Sequence, residues 1–144
     1  MNVEDCAFIA ELASKRLHLA EVILDKYIQT YEDHGVSMVV HHAMKGGATT
    51  YGHILQLLFR SPCVSFRARR DAIYTGFHRD DSGVQNVAIE LFKSVSPTTR
   101  RKFLKSHLHE DGFEDLFNRD ILKAPSEVVG LVRLEMPDWI GFTM

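Results

Sequence analysis

The chain predicts an all-α fold, and three observations carry that expectation. Apolar residues recur at intervals of three and four over most of its length, the spacing that lays one stripe along a helix. No convincing run of strict apolar–polar alternation, the signature of a half-buried strand, interrupts them. Glycines and Ser-Pro pairs fall where one stripe ends and the next begins. Together these features predict about seven to nine helices, with no internal repeat.

From Val3 to Tyr31 the stripe runs through Phe8, Ile9, Leu12, Leu19, Ile23, Tyr27, Ile28 and Tyr31. It reads as one long helix, or as two joined between Ser14 and His18, with Asn2 as an N-cap and Gly35 as a stop. Ser37 can cap a short helix from Met38 to Lys45, which Gly46-Gly47 closes. Thr49 or Thr50 can cap the next, which runs from Tyr51 to the break at Ser61-Pro62. A further helical segment covers Val64 to Phe77, and "HRDDSG" is a loop by composition. Ser82 opens "VQNVAIELFKSV", with Val84, Val87, Ala88, Leu91 and Val95 on one stripe. Ser96-Pro97 pairs a capping serine with proline at the first helical position, and that helix carries Phe103, Leu104 and Leu108 up to Gly112. "FEDLFNRDIL" gives a short helix, and "SEVVGLVRLEM" another helix or a strand before Pro137.

Composition narrows the function classes. A chain of 144 residues, 45% hydrophobic and 25% charged, has the make-up of one globular domain rather than of a disordered segment. Its net charge of −2 gives no overall positive field to recruit nucleic acid or acidic membranes. The basic clusters "RARR" and "TTRRK" share their segments with the core-like Phe66, Ile73, Phe103 and Leu104, and no aromatic residues interleave as a base-stacking platform requires. They read as solvated helix faces, and no nucleic-acid partner is expected. Cys6 and Cys63 can form one pair or none; without a repeated spacing they point to a reduced, intracellular setting. The acidic start "MNVEDCAFIAEL" lacks the pattern of a secretory signal, and no apolar run is long enough for an integral membrane segment.

A catalytic set does not emerge. The eight histidines include His41-His42 and the pair in "HLHEDG", but neighbours on a helix diverge by about 100° and neither pair chelates unaided. No HExxH or Cys-x-x-Cys spacing is present, so neither metal nor cofactor is expected. In "MKGGATT" the lysine precedes the glycines, which is the wrong order for a phosphate loop, and "HRDD" stands without the other kinase motifs. Cys63 reads as a structural thiol, because no basic partner can be assigned to it.

Two stretches suggest binding instead. "VVHHAMKGGATTYGHILQLLF" resembles the first homology motif of the Bcl-2 family: a short helix ending in glycine, a capping Asn or Thr, an aromatic residue, then Gly and Arg leading into a hydrophobic central helix. Thr50, Tyr51, Gly52 and His53 stand in those places. "FLKSHLHEDGFEDLF" resembles the second homology motif, with Gly112, Phe113, Leu116 and Phe117 at the matching positions. The resemblance covers residues 37–60 and 103–118.

It implies a single Bcl-2-like helical domain over residues 1–144, without a membrane anchor, built around a hydrophobic central helix. It also implies a surface groove that holds the amphipathic BH3 helix of a pro-apoptotic protein. By the resemblance the groove is lined by Val39, Val40, Ala43 and Met44 on the short helix, by Thr50, Tyr51, Gly52 and His53, by Leu55 on the central helix, and by Phe113. Val39 and Val40 cannot both point into one groove, so one of them belongs to the core. Glycine inside a helix costs about 1 kcal/mol against alanine. At Gly52 that cost is offset either by the close approach of a partner backbone or by packing under a neighbouring helix of the same bundle.

His53 replaces the family's arginine. Histidine, with a reference pKa of about 6.5, is mostly neutral at pH 7, so BH3 binding is expected to be narrower, weaker or pH-sensitive. No Leu-x-x-x-Gly-Asp pattern of a BH3 segment is present, and the stretch before residue 39 is short. The missing BH3 segment disfavours a pro-death member, and the brevity resembles the compact, diverged members that large DNA viruses encode. The function implied is inhibition of apoptosis without catalysis, in the host cytoplasm and at mitochondria through the partner, and a homodimer is compatible with it. Two alternatives stand beside it: a modulator of innate signalling that uses another face of the same fold and binds no BH3 helix, and a small helical metal-dependent enzyme.

Overall fold

The computed structural model describes residues 3–106, 121 and 123–135. These contain seven helices and no strand: α1 (Val3–Lys15), α2 (Leu17–Lys45), α3 (Ala48–Arg60), α4 (Phe66–Phe77), α5 (Ser82–Ser94), α6 (Pro97–Ser106) and α7 (Ser126–Glu135). The all-α reading holds, and the C-terminal stretch left open between helix and strand is helical. The short helix expected over "FEDLFNRDIL" lies outside the described residues, as do Gly112, Phe113, Leu116 and Phe117.

Most helix ends follow from local chemistry. Ser65 Oγ accepts the Ala68 N–H at 3.0 Å and starts α4. Ser96 Oγ accepts the Thr99 N–H at 3.1 Å ahead of Pro97 in α6. At α5 the cap is Asp81, one residue before the expected Ser82, and its carboxylate accepts the N–H groups of Gly83 at 2.8 Å and Val84 at 3.1 Å. Neither Thr49 nor Thr50 caps α3, because the helix begins earlier, at Ala48 behind Gly47. Gly47 has φ of 104°, a conformation open to glycine and strained for other residues, and it lets α2 end and α3 start within two residues.

The N-terminal third departs from expectation in two ways. The break falls at Arg16, inside the predicted window, and splits the region into α1 and α2. The expected stop at Gly35 and restart at Ser37 do not occur. α2 bends at Glu32 (φ 53°, ψ −142°) and runs on through Gly35 and Ser37. Gly35 serves packing: a Cβ there would lie 2.9 Å from Tyr31 Cβ and 3.3 Å from the Tyr27 ring, two aromatics whose centroids are 4.9 Å apart.

α3 sits at the centre and contacts α1, α2, α4 and α5. Its buried face is Tyr51, Ile54, Leu55, Leu57 and Leu58. Around it α1 lies along α2, α4 packs on α2 and α5, and α7 meets α5. The helices approach closely at Gly76 of α4, where an added Cβ would fall 2.3 Å from Tyr51 Oη and 2.7 Å from Ala88 Cβ of α5.

Two arginines of the basic clusters are structural rather than solvated. Arg70 is buried, pairs with Asp71 and donates to Ser106 Oγ at 2.7 Å, tying α4 to α6. Arg100 is buried at the end of α5. It donates to the carbonyls of Phe92 at 3.2 Å, Lys93 at 3.1 Å and Val95, and pairs with Glu135 of α7. One guanidinium thus satisfies the orphan carbonyls of α5 and fastens α7.

Candidate functional site

Nine of the ten residues expected to line the groove lie among the described residues and separate into three groups. Val39, Val40, Ala43, Met44, Tyr51 and Leu55 are buried, none more than 2% exposed, and do not line an open groove. The expectation fails there for a packing reason. On α2 the stripe Val36, Val39, Val40, Ala43 and Met44 belongs to the core that α2 builds with α1, α3 and α4, and on α3 Tyr51 and Leu55 face inward from the central position. Both valines lie in the core, against the expectation of one. Between Val36 and Val40 on α2 and Ala68 and Ala72 on α4 only a small cavity of about 80 Å³ remains.

Tyr51 is fixed by its hydroxyl, which donates to the Ala72 carbonyl at 2.6 Å, and burial pushes its phenol well above the ordinary range. Gly52 is half-buried and faces α5, where a Cβ would meet Val87 Cγ1 at 3.7 Å, ordinary van der Waals contact. Among the described residues nothing therefore requires glycine at this position. Phe113 lies outside the described residues.

Thr50 and His53 form the third group. One turn apart on α3, they line a cleft of about 610 Å³ between α1, the second half of α2 and the start of α3. α1 contributes Cys6, Ala7, Ala10, Glu11 and Ser14, and α2 contributes Met38, His41, His42 and Lys45, with Gly46 at the corner. Cys6 is buried against Tyr27, 3.6 Å from its hydroxyl, and closes the base. Desolvation first, then the hydrogen bond and charge of Cys6, push the Tyr27 phenol upward.

The walls are chemically lopsided. Three histidines and Lys45 face one carboxylate, Glu11, which is itself held by Lys15 at 3.2 Å. Ala7, Ala10 and Met38 supply the apolar surface. The arrangement suits an elongated ligand with an apolar edge and a negative one. His41 and His42 both reach the cleft because adjacent helical positions straddle it, the same divergence that keeps them from chelating together.

Sequence reasoning passed over the α1 wall. Ala7, Ala10 and Ser14 follow helical spacing, but small side chains give a weak apolar signal, and the search for a stripe settled on their larger neighbours. Among the described residues no group of three or more His, Cys, Asp or Glu side chains is placed to hold a metal ion, and no helix is long and apolar enough to cross a membrane. Cys63 is free and exposed. Desolvation, then the charge and hydrogen bond of Asp25, push its thiol up, opposite to the shift that activates a cysteine nucleophile.

No protein-family model, curated protein or solved structure matches the chain.

Proposed function

We propose that this protein is a non-catalytic receptor for an acidic amphipathic helix, and that BH3 segments of pro-apoptotic proteins are the class it sequesters. The observation that carries this reading is the cleft, into which Thr50 and His53 of the Bcl-2-like motif project together. Its apolar floor can take hydrophobic anchors along one helix edge, and its lysine and histidines can take the aspartate that BH3 helices carry. The binding surface differs from the one the motif implied: Val39, Val40, Ala43, Met44, Tyr51 and Leu55 support it from behind instead of touching the ligand. Each well-buried anchor contributes about 1.5 to 3 kcal/mol, so three or four reach sub-micromolar affinity after ordering costs.

Calorimetric titration with a panel of BH3 peptides tests the proposal. At least one peptide should bind with one-to-one stoichiometry, and Ala7→Trp, which fills the exposed wall of the cleft, should abolish the heat without lowering the unfolding temperature. A panel that gives no heat, or binding that Ala7→Trp leaves intact, overturns the assignment to this cleft. Loss of helical signal in Ala7→Trp would be resolved by the milder Ala7→Leu, for which weakened binding is the expected result.

A further inference from the structure

We propose that the outer face of the α1–α2 hairpin docks a second copy of this chain, about a two-fold axis that sets the two α1 helices antiparallel. α1 carries the stripe Glu4, Phe8, Leu12 and Lys15, spaced by fours and a three. Phe8 at its middle is 51% exposed, and Leu19 and Val22 of α2, 41% and 52% exposed, extend the apolar surface. Large side chains this open are the exception here: the helical stripe read from the sequence would have buried Phe8 and Leu19, but small residues, Ala10, Ala13 and Ala20, close the hairpin instead.

These residues share one face of the molecule. The other flank of α1, with Ala7, Glu11 and Ser14, lines the cleft beside α3. α2 turns Glu21 to Arg60 at 2.8 Å and Asp25 to Ser61 at 2.7 Å, both at the end of α3. On α2, Leu19 and Ile23 lie on the side opposite Glu21 and Asp25; on α1, Phe8 faces outward about 60° around the helix from Glu11, and Leu12 and Ile23 sit partly buried at the edge of the core.

The order of charge along α1 selects the occupant. An acid, Glu4, stands at one end of the apolar stripe, and two bases, Lys15 and Arg16, stand at the other. All three are exposed, and the Glu11 contact of Lys15 at 3.2 Å is itself a surface pair. Turned end to end about a two-fold near residue 10, the stripe is its own complement. Glu4 of each copy meets Lys15 and Arg16 of the other, and Phe8 of each meets Leu12 of the other, the reciprocal pattern that an isologous interface requires. A parallel arrangement would set like charges against each other at both ends.

Sedimentation equilibrium of the full chain from micromolar to submillimolar concentration tests the proposal. The wild type should show a monomer–dimer equilibrium, and Phe8→Glu should weaken it by at least about tenfold while the circular dichroism spectrum is unchanged. Glu4→Lys alone, and Lys15→Glu with Arg16→Glu, should each weaken the dimer. A mixture of those two variants, or one chain carrying all three changes, should restore it, and added salt should weaken the wild type. A wild type that stays monomeric throughout overturns the proposal. So does a dimer that Phe8→Glu does not affect, and charge variants that fail to rescue each other overturn the antiparallel register.

Discussion

Tyr51 and its neighbours Thr50 and His53 occupy one turn of α3, yet they look onto opposite kinds of surroundings. On the Tyr51 side three helices meet closely: the phenol is wedged against Gly76, its hydroxyl is held by the Ala72 carbonyl, and Ala88 closes the crossing. On the Thr50 and His53 side the helices part into a cleft of about 610 Å³. The difference shows that one short motif can divide its residues between holding the bundle together and presenting a surface, with a helix rotation of about 100° to Thr50 and about 160° to His53 deciding which.

Five substitutions at four positions break or sharpen that contrast. The largest effect belongs to Gly76→Ala, whose Cβ would lie 2.3 Å from Tyr51 Oη and 2.7 Å from Ala88 Cβ. Neither neighbour can retreat, so the substitution should destabilise by about 3 kcal/mol in urea unfolding, the upper end for overpacked cores. A shift under about 0.5 kcal/mol, ordinary for surface positions, would show that the crossing is looser than described.

Tyr51→Phe comes next, with a loss of about 1 kcal/mol at neutral pH from the missing buried hydrogen bond. It carries a second readout. Because burial raises the Tyr51 phenol, the folded chain keeps its proton above pH 10 while the unfolded chain releases it. Stability therefore falls as pH rises beyond the ordinary tyrosine value, by up to about 1.4 kcal/mol per pH unit. Tyr51→Phe should flatten this alkaline decline in part, Tyr27 accounting for the rest; an unchanged slope between pH 9.5 and 11 contradicts the burial argument.

Gly52→Ala should act in the opposite direction. The site has room for a methyl group beside Val87, so the gain in helix propensity should raise stability by about 0.5 to 1 kcal/mol. The same variant separates the two reasons for a glycine here. Because Gly52 faces α5 and not the cleft, peptide binding should be intact; raised stability with weakened binding would place the peptide on the α5 side of α3 and overturn the assignment to the cleft.

Smallest in stability are His53→Arg and His53→Ala, both expected within about 0.5 kcal/mol of wild type because the side chain looks into the cleft. Their contrast lies in binding. Arginine offers a permanent, bidentate charge to an acidic helix and should tighten it, while alanine should weaken it. Equal affinities for all three proteins across a BH3 panel would remove His53 from the site.

Much of the fold was legible because helix ends are written locally. Ser96-Pro97 and Gly46-Gly47 specify a start and a stop in two residues each, and both stand where the sequence put them. Gly35 misled because a glycine that ends a helix and a glycine that makes room for Tyr27 and Tyr31 look alike in sequence. The bend at Glu32 had no signature at all, since glutamate is a good helix former. Arg70 and Arg100 were read as solvated because their burial depends on Ser106 and Glu135, partners distant in the chain. For the site, the motif named the right turn but the wrong side of it. Residue types alone do not say whether Val39, Val40 and Leu55 face a neighbouring helix or solvent; that depends on how α4 and α5 return over α3.

Glu32 has a consequence for how the two surfaces relate. Its backbone sits where glycine is comfortable and a longer residue is strained by about 1 to 3 kcal/mol, so the joint is a strained point of α2. Leu19 and Val22 lie on one arm of that joint, and Met38, His41, His42 and Lys45 on the other. The helix is shaped like an elbow: the angle fixed at Glu32 lets one arm serve the outer hairpin surface while the other walls the cleft.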